Sequence, residues 1–141
     1  AGVQATLGNT LARFIGQQGK DTVHRNVAVD PAKPRWARVP GPGGCCAWCS
    51  MLASRGFVYA SAATAGQGHA YHDHCSCVPT PLWKGQAARI HGYDPKGLRA
   101  TYDKARAAVK ASGATVDDKA ITAEMRRLTP ESFTDGIQPA E

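Results

Sequence analysis

The chain has 141 residues, 43% hydrophobic and 20% charged, which suits one globular domain with a modest core. No apolar run approaches the roughly 20 residues of a membrane span, so no membrane partner is expected. The net charge of +6 is uneven: residues 1–116 carry +9 and residues 117–141 carry −3. A basic body of this kind can lie against nucleic acid or an acidic protein surface, or can serve solubility alone. The 15 glycines, nine prolines and seven Phe plus Tyr residues imply a loop-rich chain with a thin core. A bound metal would help such a chain, because its binding free energy becomes folding free energy.

Residues 1–30 read as an N-terminal helix. Leu7, Leu11, Phe14, Ile15, Val23 and Val27 recur at three- and four-residue steps. Asp30-Pro31 ends it, because the proline ring disfavours helical geometry in the preceding residue. Trp36 to Pro40 then predicts a short edge strand, and Gly41-Pro42-Gly43-Gly44 a tight turn. A short helix around Met51 and Leu52 should stop at Gly56. Phe57 to Ala60 has strand composition, Ser61 to Gly68 is a small-residue loop, and Cys77 to Trp83 is extended, with prolines confining it to an edge.

Asp94-Pro95 opens the clearest helix, with Asp94 as N-cap and Pro95 at the first helical position. Leu98, Tyr102, Ala105 and Val109 form its buried stripe, and Ser112-Gly113 stops it. A last helix from about Asp117 to Leu128 opens with two acids suited to the positive end of its dipole, with Ile121, Met125 and Leu128 facing inward. The domain plan is therefore a helix at 1–30, a zinc-knuckle core at 31–92, a helical pair at 93–128 and a flexible tail at 129–141. The fold class is α+β.

The chemistry is concentrated in the middle. All five cysteines and three of the five histidines fall between Cys45 and Cys77; apart from Cys45 and His69 they stand in Cys46-Ala47-Trp48-Cys49 and His72-Asp73-His74-Cys75-Ser76-Cys77. C-x-x-C followed by H-x-x-C-x-C supplies two chelating pairs, which is what tetrahedral Zn²⁺ requires. The metal-ligand candidates are Cys46, Cys49, His72, Cys75 and Cys77. His74 is a weaker imidazole donor, and Asp73 suits a supporting position behind a ligand histidine. Cys45 should point away as a small buried thiol. A set filled by thiolates leaves no open position, so the expected site is structural and the expected role non-enzymatic.

Rival readings are weaker. Cys46–Cys49 has thioredoxin-like spacing but no βαβ pattern around it, and five cysteines are an odd number for a disulfide framework. A zinc deaminase needs H-x-E with a proton-carrying glutamate, yet Glu124 is the first glutamate of the chain. The His72-Asp73-His74 triplet would suit a metal nuclease, and a thiol protease using Cys49 has no local signature in its favour. Trp36, Trp48 and Trp83 flank the region, either as a stacking surface for single-stranded nucleic acid or as a cover for the metal knuckle.

The ordered set Trp36-Ala37-Arg38-Val39-Pro40, Cys46 through Tyr59 and Tyr71 through Cys77 resembles the phage Mu F-like (MuF-type) minor capsid and head morphogenesis proteins, in their actinobacteriophage branch. Asn9 through Gly19 and Ile90 through Pro95 extend the resemblance across about residues 7–128. Where the wider family has Pro-Asn between His and Cys, this chain has Asp73-His74, and Cys45 is an extra thiol. The resemblance implies a minor virion component inside the head near the portal, assisting assembly, genome packaging or ejection. Its implied partners are the portal and the major capsid protein, with packaged DNA as a further contact, and its site before assembly is the host cytoplasm. Genes of this branch are sometimes labelled capsid maturation proteases, which makes a zinc- or thiol-dependent hydrolase the alternative. The chain opens at Ala1, which agrees with release from a larger precursor.

Overall fold

The computed structural model describes residues 18–66 and 77–135. The chain divides into two units, Ala1–Lys33 and Pro34–Glu141. In the first, residues 18–28 form helix α1, with Val27 buried and Val23 exposed. The helix stops just before Asp30-Pro31, where the Asp30 N–H bonds the Val27 carbonyl and the Asp30 carboxylate accepts the Ala32 N–H. Leu7, Leu11, Phe14 and Ile15 lie outside the described residues.

The second unit is α+β. Strand β1 (Arg35–Val39) leads through the glycine turn into helix α2 (Ala47–Ala53), and strand β2 (Val78–Leu82) returns antiparallel to β1. Helices α3 (Pro95–Ala111) and α4 (Asp118–Leu128) follow, then a 3₁₀ turn at Pro130–Ser132. Among the described residues no helix is long and apolar enough to cross a membrane.

The prolines of β2 are explained by register. Trp36 sends its own N–H and C=O to Tyr59, at 2.9 and 3.1 Å, on the side away from β2. It therefore faces Pro81 as a non-hydrogen-bonded pair, and Arg38 faces Pro79 in the same way. The donors that Pro79 and Pro81 lack would have pointed outward, so the ladder loses nothing and the outer edge of β2 resists further pairing. The strand expected at Phe57 to Ala60 shrinks to the single Trp36–Tyr59 bridge. Tyr59 is held there by its hydroxyl, which donates to the Leu52 carbonyl at 2.9 Å, and Gly56 at φ +68° breaks the chain direction just before it.

The core lies where α2 meets α3 and α4: Ala47, Met51, Ala105, Ile121, Met125 and Phe133 are buried together, with Trp48, Leu52, Tyr102 and Leu128 packed against them. Both C-terminal helices are capped from the sequence. Asp94 accepts the Lys96 N–H at 3.0 Å and Asp117 accepts the Ala120 N–H at 2.7 Å. Ser112 ends α3, followed by Gly113 at φ +76°.

The segment expected as a flexible tail is packed through residue 135. Phe133 is buried in the core, the Thr134 N–H reaches the Cys45 carbonyl at 3.1 Å, and Asp135 bonds α2 and α4. An isolated Phe carries no periodicity, so its burial is invisible until α4 directs the chain back over α2. Residues 136–141 lie outside the described residues.

Candidate metal centre

The convergence of the cysteines follows from the sheet register. Val39 pairs with Val78, so the end of β1 that runs toward Cys46 is the end of β2 that Cys77 precedes. The turn between β1 and α2 places Gly43 at φ +97° and Gly44 at φ +88°, conformations that residues with side chains adopt only under strain. It delivers Cys46 in extended geometry as the N-cap of α2. Its sulfur accepts the Cys49 N–H at 3.4 Å, while the Cys46 carbonyl accepts the Ser50 N–H at 2.9 Å. A helical turn separates the two thiols and turns both toward Cys77.

Cys45, Cys46, Cys49 and Cys77 form a buried cluster with Trp48 packed against it. None of the four is in a disulfide. Cys49 is hydrogen-bonded to both Cys46 and Cys77. Cys45 is buried in the same cluster rather than pointing away from it, and its backbone carbonyl is engaged by Thr134. His72, His74 and Cys75 lie outside the described residues. Among the described residues alone, no group of three or more His, Cys, Asp or Glu side chains is arranged to hold a metal ion.

The electrostatics of the cluster keep Cys49 protonated. The hydrogen bond from Cys46 lowers the Cys49 pKa, but the hydrogen bond to Cys77, burial and the Cys77 charge outweigh it together with the pull of Arg38, and the thiol is pushed up to about 12. Crowded sulfurs oppose one another's ionisation; a coordinated cation removes the protons and the opposition together. Soft sulfur donors suit Zn²⁺, and His72, Cys75 or His74 would complete the set.

Arg38 is the functional residue that sequence reasoning missed. It is 1% exposed, and its guanidinium donates to the Gly66 carbonyl at 2.9 Å and to the Cys49 sulfur at 3.3 Å. The same group lies over the Trp48 ring, 5.9 Å from its centroid. A buried guanidinium against a sulfur favours the thiolate and offsets the net negative charge of a thiolate-rich metal site. Its two-residue offset from Trp36 within β1 is the signal that could have found it, since both then face one side of the strand.

Gly66 closes the site from the other side. Its φ is +91°, and a Cβ there would sit 2.8 Å from Leu52 Cδ1 and 3.1 Å from Arg38 Nη1. Ser61 and Thr64 bond each other's backbone and hydroxyl groups, fixing the turn that leads into Gly66. The Ser50 hydroxyl, on α2 beside Cys49, is buried with no hydrogen-bond partner among the described residues. Of the three tryptophans only Trp48, half-buried, packs against the cysteines; Trp36 is buried beside Tyr59 and Pro81, and Trp83 is half-buried beyond the end of β2.

Fold and site together define a small α+β domain organised around a buried cluster of thiols. The profile of the VG15 protein family matches residues 1–105, most of the chain, and the chain belongs to that family of phage proteins. No curated protein and no solved structure matches it.

Proposed function

We propose that this phage protein is a structural component of the virion, a minor capsid protein of the MuF type, whose cysteine cluster binds zinc to hold a docking surface in shape. The observation that supports the metal reading is the burial of Cys45, Cys46, Cys49 and Cys77 in one cluster, with the guanidinium of Arg38 donating to the Cys49 sulfur. The virion reading is supported by membership of a phage family and by the resemblance of the Trp36–Pro40, Cys46–Tyr59 and Tyr71–Cys77 segments. Its place is the head interior near the portal, with portal or major capsid subunits as partners. A hydrolase would need a thiol or an open metal position within reach of substrate. The three sulfurs are at most 3% exposed, which favours a structural ion.

Elemental analysis of the full chain, expressed with zinc and desalted, tests the first part. Near-stoichiometric zinc, lost in Cys49→Ser and Cys77→Ser together with thermal stability, is expected. A metal-free chain whose melting temperature ignores chelator overturns it. Quantitative mass spectrometry of purified particles tests the second part, with a few copies per head expected and absence from the particle as the contrary result.

A further inference from the structure

We infer that the outer face of α3 and the adjoining end of α2 form a binding site for the phosphodiester backbone of double-stranded DNA. This extends the virion reading by naming the face that would meet the genome, and it is independent of the metal centre.

A cleft of about 580 Å³ opens between the residues that follow α2 and the middle of α3. Arg55, Arg99 and Arg106 line it, with the ring of Tyr102 and the exposed Val58 between them. The Arg99 guanidinium lies over the Tyr102 ring, 5.4 Å from its centroid, and bonds Asp103 at 2.9 Å. Among the described residues Arg55 and Arg106 have no carboxylate partner. Two guanidiniums without counter-charge on opposite walls of one cleft are a receptor for an anion.

The cleft continues along the helix. Lys96, Arg99, Arg106 and Lys110 are all exposed and recur at intervals of three, seven and four residues. At 100° per residue they fall within a band about 80° wide and about 21 Å long. Asp103 is the single acid in that band, and Arg99 already engages it. A second hollow, lined by Asp103, Arg106, Ala107, Lys110 and Val116, carries the surface past the first.

A point anion would need the cleft alone. A straight basic band of this length matches a ligand whose charges repeat, and about 21 Å spans the rise of roughly six base pairs. Residues 1–116, which include the whole band, carry +9, so the surrounding field attracts the same ligand. Arginine over a tyrosine ring adds a planar donor suited to two phosphate oxygens at once. Contacts to phosphates fix position and carry no sequence information, so binding through this band would be indifferent to sequence.

The test is fluorescence anisotropy of the full chain with a labelled mixed-sequence duplex of about 20 base pairs across a salt series. A log–log salt slope of roughly −3 to −5 is expected, so affinity falls by roughly 60-fold to 1,000-fold between 50 and 200 mM salt. The double variant Arg55→Gln/Arg106→Gln should flatten the slope by about 2, and Lys96→Gln/Lys110→Gln, elsewhere on the band, should do the same. Lys33→Gln/Arg89→Gln should leave it unchanged. Circular dichroism and zinc content, unaltered in every variant, separate loss of the site from loss of the fold. A flat salt response, or an unchanged slope in both band variants, overturns the inference. So does polyglutamate of matched charge displacing the duplex as well as unlabelled DNA does, since the face would then serve an acidic protein.

Discussion

Asp135 accepts the N–H of Ala47 at 2.9 Å across a separation of 88 residues. Its other carboxylate oxygen takes the Arg126 guanidinium, with Nε at 2.8 Å. One side chain near the end of the fold therefore ties the first turn of α2, which carries Cys49, to the last turn of α4. Asp135→Ala should lower unfolding free energy by about 1 kcal/mol, the usual cost of losing a carboxylate from a helix start, with little added by the partly exposed ion pair. Urea denaturation measures it. No change would mean that Phe133 and the Thr134–Cys45 backbone bond hold the segment down.

The same carboxylate gives the protein an acid-sensitive contact. Burial raises the Asp135 pKa, but the Arg126 hydrogen bond, the Ala47 N–H and the Arg126 charge outweigh it, and the group sits below its ordinary value of 3.8. A lowered folded-state pKa contributes stability above the unfolded value, and that contribution disappears as pH falls through the folded one. The stability difference between wild type and Asp135→Asn should therefore be constant at neutral pH and shrink below about pH 4.

Removal of single thiols should distinguish the ligands from their neighbour. Cys46→Ser, Cys49→Ser and Cys77→Ser should each weaken zinc binding and lower stability by several kcal/mol, because structural zinc contributes its binding free energy to folding. Cys45→Ser should retain zinc, since the Cys45 sulfur makes no hydrogen bond to the other three. Competition with a chromogenic chelator reads both quantities. Full zinc retention in Cys77→Ser would move the centre away from the β1–β2 end of the domain.

Arg38→Lys is predicted to be a severe change despite keeping the charge. An ammonium cannot reach both the Gly66 carbonyl and the Cys49 sulfur in the geometry of the guanidinium fork. One buried partner is left unsatisfied, at about 1–3 kcal/mol. Thermal unfolding should show the loss, and zinc affinity should fall with it as the thiolates lose their neighbouring cation.

Gly66→Ala should destabilise by about 2 kcal/mol or more, because the left-handed backbone and the 2.8 Å approach to Leu52 Cδ1 act together. Gly43→Ala is the control. Its φ of +97° imposes strain, but nothing lies within 4 Å of the new methyl group, so the cost should stay near 1 kcal/mol. Equal melting temperatures for the two variants would show that crowding at residue 66 is relieved by side-chain movement.

What could be read from the chain was whatever neighbouring residues settle among themselves. Asp94-Pro95 and Asp117 place their helix starts through bonds to N–H groups two and three residues away, and Ser112-Gly113 ends α3 within a single turn. Cys46 and Cys49 are another such case, since a helical turn suffices to bring them together. Phe57 to Ala60 misled because aromatic and β-branched composition marks half-buried extended chain, whereas only Tyr59 forms a bridge to a strand.

The sequence by itself determined where α3 and α4 begin and end, and that sulfur chemistry sits between residues 45 and 77. Only the tertiary structure decided that Cys77 meets Cys49, that Arg38 turns inward to them, and that Phe133 and Asp135 fold back over α2. The reason is range. Caps and turns close over two to four residues and are governed by local geometry, while these contacts join segments separated by 11 to 88 positions. Their closure must overcome loop entropy, and the β1–β2 register and the packing of α4 on α2 decide which of them form.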